Sequence, residues 1–357
     1  MAGPALVLVH GRNQQMPAAS RNGPAGEAAF VEQKKRSWLA GLTKGLVLAG
    51  LPAVDESAVY FPYYGNRFAD AIAARERAGL PGPDLEIAAT EPAGSGAGTP
   101  AADAAQPARP PSADALILDA ARLLGFTPEK EAAALAEDLP LGDGRTTPGI
   151  AAAEEAWAAY PQGLAIGDVL RSRLLRAALS YLARKTGVPQ LIIDRFLTDV
   201  AYYLDVPDLR RLELDIVLAD VRAAAAAHDT VVLVTHSLGT IVGYDLFDRL
   251  HGSVDVTLFA TAGSPLGYPV VERNLLPAGA GGVRPGPELH GVQVPWLNAF
   301  DVQDFVALVH PLANFYAADL REERTFNPSD PHAMQDYLAD PDVARPIGRA
   351  MAGSAPW

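Results

Sequence analysis

The chain has 357 residues, 49% hydrophobic and 20% charged, a balance that suits a soluble globular protein with a substantial core. Acidic residues outnumber basic ones, 42 against 29, and the net charge of −13 disfavours nucleic acid or an anionic membrane as the main partner. The absence of cysteine excludes disulfide scaffolds, thiolate catalysis and cysteine metal sites.

The opening stretch, MAGPALVLVHGR, has a short apolar run with no basic segment before it, which makes a poor signal peptide. No apolar stretch approaches the ~20 residues that a spanning helix needs, so a cytoplasmic location is expected. ALVLVH at 5–10 reads as a buried strand ended by Gly11. Val31, Trp38, Leu42, Leu46 and Ala49 fall at helical spacing and predict a helix over 27–50. Within it, Lys34-Lys35-Arg36 reads as a solvated face. SAVYFPYYG at 57–65 predicts a second strand, followed by a short amphipathic helix over 68–78. Residues 91–113 are dense in Pro, Gly and Ala and have no periodicity, so 81–113 is expected to be a flexible linker. Only helical patterns follow, at 114–124, 128–138, 150–159, 163–186 and through VPQLIIDRFLTDVAYYL. From residue 208 helix and strand alternate again: a helix, strand Val231 to Thr235, a helix from Gly239, then strands DVTLFAT and VPWLNAFD. That alternation predicts an α/β class with a mostly parallel sheet covered on both faces, interrupted by an all-helical insertion.

HDTVVLVTHSLGTIVGYDLFDRL at 228–250 places Ser237 where a strand becomes a helix. A nucleophilic serine needs a base, a group to orient the base, and donors for the developing oxyanion. A sharp strand-to-helix turn pushes the hydroxyl clear of the backbone and aims free N–H groups at the site. Such a turn is tight, and Gly239 supplies the small neighbour. Thr235 stands where the G-x-S-x-G pattern has its first glycine, and it fits if the neighbouring strand recedes. No phosphate loop, histidine pair with metal spacing or paired carboxylates on one face is evident, and no cofactor or metal is expected.

VTHSLG, with the upstream VLVHGRNQ and the loop ATAGSPLG at 260–267, resembles the α/β-hydrolase superfamily, particularly its lipase and esterase branch and GPI-inositol deacylase-like bacterial relatives. The similarity consists of local motifs in order over residues 5–80 and about 206–345. It implies an α/β-hydrolase core from residues 1–80 and 206–357, with residues 114–205 as a large helical cap. The family order, Ser then Asp or Glu then His, points to Ser237, Asp304 and His332 as the catalytic residues. Asp301 competes with Asp304, and His310 competes with His332. The resemblance gives the oxyanion donors as the N–H groups of Leu238 and Arg12. Gly11 lets the chain turn closely, His10 braces that loop, and His236 packs or hydrogen-bonds beneath the turn. His228, His251 and His290 read as structural or surface residues. The implied activity is a serine hydrolase acting on a carboxylic ester, a small-molecule or lipid ester, through an acyl-enzyme. The insertion either caps an acyl pocket, lined by apolar residues such as Trp157, Tyr160, Leu164, Leu174, Leu175 and Tyr181 with Tyr63 or Tyr64 at the rim, or is a helical subdomain that only packs on the core. A serine acyltransferase with the same triad, and a hydrolase-fold binding protein without turnover, are the alternatives.

Overall fold

The computed structural model describes residues 3–11, 16, 23–78, 111–127, 168–250, 254–275, 284–317, 319–327 and 330–357. Its centre is a six-stranded sheet of β1 (Ala5–Val9), β2 (Val59–Tyr60), β3 (Val231–His236), β4 (Val256–Ala262), β5 (Trp296–Asp301) and β6 (Leu320–Thr325). Every pairing is parallel, and the order is β6-β5-β4-β3-β1-β2. β1 and β3 are apolar almost throughout because both faces of the sheet are covered. The edges are blunt. β2 spans two residues, far less than the strand expected over 57–65, and β6 carries four consecutive charged residues in LREERT.

One face takes Leu6, Leu8, Val232 and Val234, against α1 (Gly23–Ala49), α9 (Met334–Ala339) and α10 (Pro341–Met351). The backbone of α9 lies directly on α1. A Cβ at Gly41 would meet Gln335 O at 2.2 Å, and one at Gly45 would meet Leu338 O at 2.4 Å. The other face takes Val7, Val9, Val231 and Leu233, against α6 (Pro207–Ala227) and α7 (Leu238–Leu246). On that side lie α2 (Gly65–Arg77) and three helices of the insertion: α3 (Pro111–Leu123), α4 (Asp168–Thr186) and α5 (Gln190–Asp205).

The insertion shares its core with the sheet. Leu116, Ile117, Ala178, Leu182, Leu197 and Val200 belong to the same buried cluster as Val7, Val9 and Leu233. Its two ends are joined, since Asp205 accepts the Ser112 N–H at 2.7 Å and the Ser112 hydroxyl at 2.5 Å. Arg210 of α6 grips Asp245 of α7 with both arms of its guanidinium, and the Tyr203 hydroxyl of α5 donates to the same carboxylate at 2.7 Å. The helices expected at 128–138 and 150–159, most of the Pro/Gly/Ala-rich linker, and Trp157, Tyr160 and Leu164 lie outside the described residues. No helix among the described residues is long and apolar enough to cross a membrane.

From β1 the chain passes to β2 on one side. It then returns across β1 to β3 and proceeds outward through β4, β5 and β6. The carboxyl ends of β1 and β3 therefore flank the point where the winding reverses, the place where open α/β sheets form their crevice. Gly11 and Ser237 both stand there.

Candidate active site

Ser237 joins β3 to α7 with φ 59° and ψ −133°, a conformation that costs on the order of 1–3 kcal/mol for a residue with a side chain. The surroundings hold it there. Ser237 N–H donates to Ala262 O at 3.1 Å, and its carbonyl accepts from the N–H and hydroxyl of Thr240 at 2.9 and 2.7 Å. The side chain makes no capping bond, which leaves Oγ to the site.

Two glycines let the ends of β1 and β3 touch. A Cβ on Gly11 would fall 2.3 Å from Ser237 Cβ and 2.8 Å from Ser237 Oγ, and one on Gly239 would fall 2.5 Å from His10 O. Thr235 is accommodated differently from the expectation. The next strand stays paired, Thr235 with Thr261, and the Thr235 hydroxyl donates to Ala260 O at 3.0 Å. Space comes from the helix instead: a Cβ at Gly243 would sit 2.6 Å from Thr235 Cγ2. The glycine missing from the strand is found on the helix opposite.

His332 follows a turn after β6 and immediately precedes α9. Its Nε2 lies 3.0 Å from Ser237 Oγ, and its Nδ1 lies 2.8 Å from Asp304 Oδ2. A carboxylate only accepts, so Nδ1 carries the ring proton and Nε2 offers its lone pair to the serine hydroxyl. Asp304 is buried and also accepts Val306 N–H on Oδ1 at 2.9 Å and the Tyr337 hydroxyl on Oδ2 at 2.9 Å. Asp301 has other work: it accepts the N–H groups of Gln303 at 2.8 Å and Asn327 at 2.6 Å, fixing the turns after β5 and β6. Gly263, at φ 55°, backs the pair closely, since a Cβ there would meet Asp304 Oδ2 at 2.8 Å and His332 Nδ1 at 3.0 Å.

The other histidines separate cleanly. His10 stacks on Tyr64 with centroids 4.1 Å apart, sets Nδ1 2.7 Å from Gly11 O and accepts Tyr64 N–H on Nε2. Burial pushes its pKa down to about 4. Tyr64 is buried with its hydroxyl on His10 O, so it supports the turn from beneath and is not at a rim. His236 is buried with its ring centroid 4.5 Å from that of His332, and Trp38 meets its edge. Its Nε2 has no hydrogen-bond partner among the described residues, and burial, with the nearby His332 adding to it, holds its pKa well below the ordinary imidazole value. His310 stacks on Phe300 and hydrogen-bonds Ala307 O, apart from this group. His228 bonds Gly3 O and His290 bonds Val254 O, while His251 lies outside the described residues.

Leu238 opens α7, and its N–H is one of those a helix leaves without an intrahelical partner. Arg12, the other expected donor, lies outside the described residues. Ser237 is only 2% exposed. Phe196 of α5 and Phe305 stand 5.9 and 6.2 Å from the His332 ring, so part of the wall comes from the insertion. Phe196, Phe305, Gly263 and Tyr337 were not singled out from the sequence, although Gly263 lies in ATAGSPLG and Phe305 in DVQDFVAL. Among the described residues there is no group of three or more side chains suited to holding a metal ion.

Compared with known proteins, the chain matches no family model, no curated sequence and no solved structure. What can be said of its chemistry therefore rests on the geometry above.

Proposed function

We propose that the protein is a serine hydrolase of the α/β-hydrolase kind, acting on a carboxylic ester with an apolar acyl or alcohol portion. One observation carries the reading: an unbroken line from Ser237 Oγ to His332 Nε2 at 3.0 Å and from His332 Nδ1 to Asp304 Oδ2 at 2.8 Å, at the point where the sheet's winding reverses. In the proposed reaction His332 takes the Ser237 proton as Oγ attacks the ester carbonyl. The alkoxide of the tetrahedral intermediate is met by Leu238 N–H and by the proposed donor Arg12, each worth on the order of 3 kcal/mol in the transition state. His332 then hands its proton to the leaving alcohol and later activates the water that frees the acyl group. The transient imidazolium has Asp304 against Nδ1, and His236, held neutral by burial, lies beside it. Phe196 and Phe305 support an apolar substrate, and the insertion is proposed as a cap over the site.

Near-complete burial of Ser237 also favours a second reading, acyl transfer to an alcohol or amine, because a site that excludes water protects the acyl-enzyme. Fluorophosphonate labelling of the pure protein tests the activated serine. Label on the Ser237 peptide, absent in Ser237→Ala, is expected, together with at least a thousandfold loss of p-nitrophenyl ester turnover in that variant. No label on a folded protein rejects the hydrolase in favour of a binding protein. Product partition between water and added alcohols then separates hydrolysis from transfer.

A further inference from the structure

Tyr337 is wholly buried, five residues beyond His332, and its hydroxyl sits between two aspartates. It accepts Asp301 N–H at 3.0 Å and lies 2.9 Å from Asp304 Oδ2. A phenol carries one proton, and Asp304, as a carboxylate, can only accept, so that proton is directed at Oδ2. The same oxygen receives His332 Nδ1–H at 2.8 Å, while Oδ1 is occupied by Val306 N–H. A second donor therefore converges on the oxygen that meets the base. The ring cannot swing away, because α9 is pressed onto α1 at Gly41 and Gly45. Among the described residues, the titratable groups around this carboxylate are His332, Tyr337, Asp301 at the end of β5, Tyr268 ahead of α8 (Pro269–Leu275), and His236 at the end of β3.

We infer that Tyr337 is a positioning residue of the proposed hydrolytic site, whose hydroxyl fixes which Asp304 oxygen faces His332 and shares the charge on that oxygen. This rests on the proposed role of Ser237. Without that hydroxyl Oδ2 keeps only the His332 donor, so the carboxylate loses part of what fixes its rotation and turns more of its negative charge on the His332 ring.

The test is p-nitrophenyl butyrate hydrolysis by the full chain from pH 5 to 9, comparing wild type, Tyr337→Phe and Ser237→Ala, with circular dichroism to check the fold. Tyr337→Phe is expected to lower kcat roughly tenfold or more with KM within about twofold, since a hydrogen bond to a charged group is being removed. The acid limb of its kcat/KM profile is expected to move up by about half a pH unit or more. Replacing Tyr337 by 3-fluorotyrosine keeps the ring and strengthens the donor, so the limb should move down. That measurement decides the matter if the phenylalanine variant does not fold. An active wild type with an unmoved acid limb in both variants overturns the inference alone, as does a loss of kcat without any movement of the limb. A wild type that neither turns over the ester nor takes a fluorophosphonate on Ser237 overturns the inference and the hydrolase reading together.

Discussion

His10 supports the glycine turn only in its neutral form. Buried, with Nδ1 on Gly11 O and Nε2 accepting Tyr64 N–H, it titrates near 4 in the folded protein and near 6.5 unfolded. Between those values the unfolded chain holds the extra proton, so stability is complete above pH 6.5 and drains away as the pH falls towards 4. Going from pH 7.5 to pH 5 should cost about 2 kcal/mol through this residue alone. Urea midpoints at the two pH values should therefore differ more for wild type than for His10→Gln, and equal differences would refute the assignment. His236 pulls the same way and is common to both proteins. Ser237, His332 and Gly11 were legible because each sits beside a turn at the end of a strand. Asp304 stood ahead of Asp301 in the sequence only by matching the position of the family's acid: Asp301 ends β5 and Asp304 lies three residues on, and it is packing that gives one to His332 and the other to backbone N–H groups. Tyr337 left no mark in the sequence, since a tyrosine inside HAMQDYL reads as an ordinary core residue of a helix.

At the scale of elements, the odd residue in the turn is explained by its neighbour. Thr235 departs from the glycine pattern within VTHSLG, and the compensation lies on α7 at Gly243, in contact through space and outside any motif window. Adding a methyl there meets Thr235 Cγ2 at 2.6 Å and Phe259 Cε2 at 3.0 Å, an overpacking expected to cost about 1–3 kcal/mol despite alanine's better helix propensity. Thr235→Ser removes the facing methyl and keeps the hydroxyl bond to Ala260 O. Chemical denaturation of the two single variants and the double is expected to give a double variant more stable than the sum of the singles by about 1 kcal/mol. Additivity would show that the two residues do not share the space. Element order was readable from periodicity, and element length less so. β2 shrinks to two residues because a sheet edge needs little pairing, and Phe61 turns into the core beside Trp38 instead of extending the strand.

At the scale of the whole molecule, the insertion was legible as helical, while a cap and a subdomain packed on the core were both left open by the sequence. Composition marked a boundary, whereas the buried cluster runs through it, from Val7 and Leu233 to Leu116 and Val200. Ser112 with Asp205, and Arg210 and Tyr203 with Asp245, fasten it at both ends. The pairing of β1 with β3 has a consequence in time. Ala5 lies beside Val231, and all of β2, α2 and the insertion must be looped out before that register can form. Contacts so distant along the chain form slowly, while helices form early. Gly11 and Ser237 meet only when that pairing closes, so on dilution from urea the regain of helical circular dichroism should precede the regain of fluorophosphonate labelling. Simultaneous recovery would exclude that order. Helix content early in refolding then reports a chain whose parts have formed before its central strands have met.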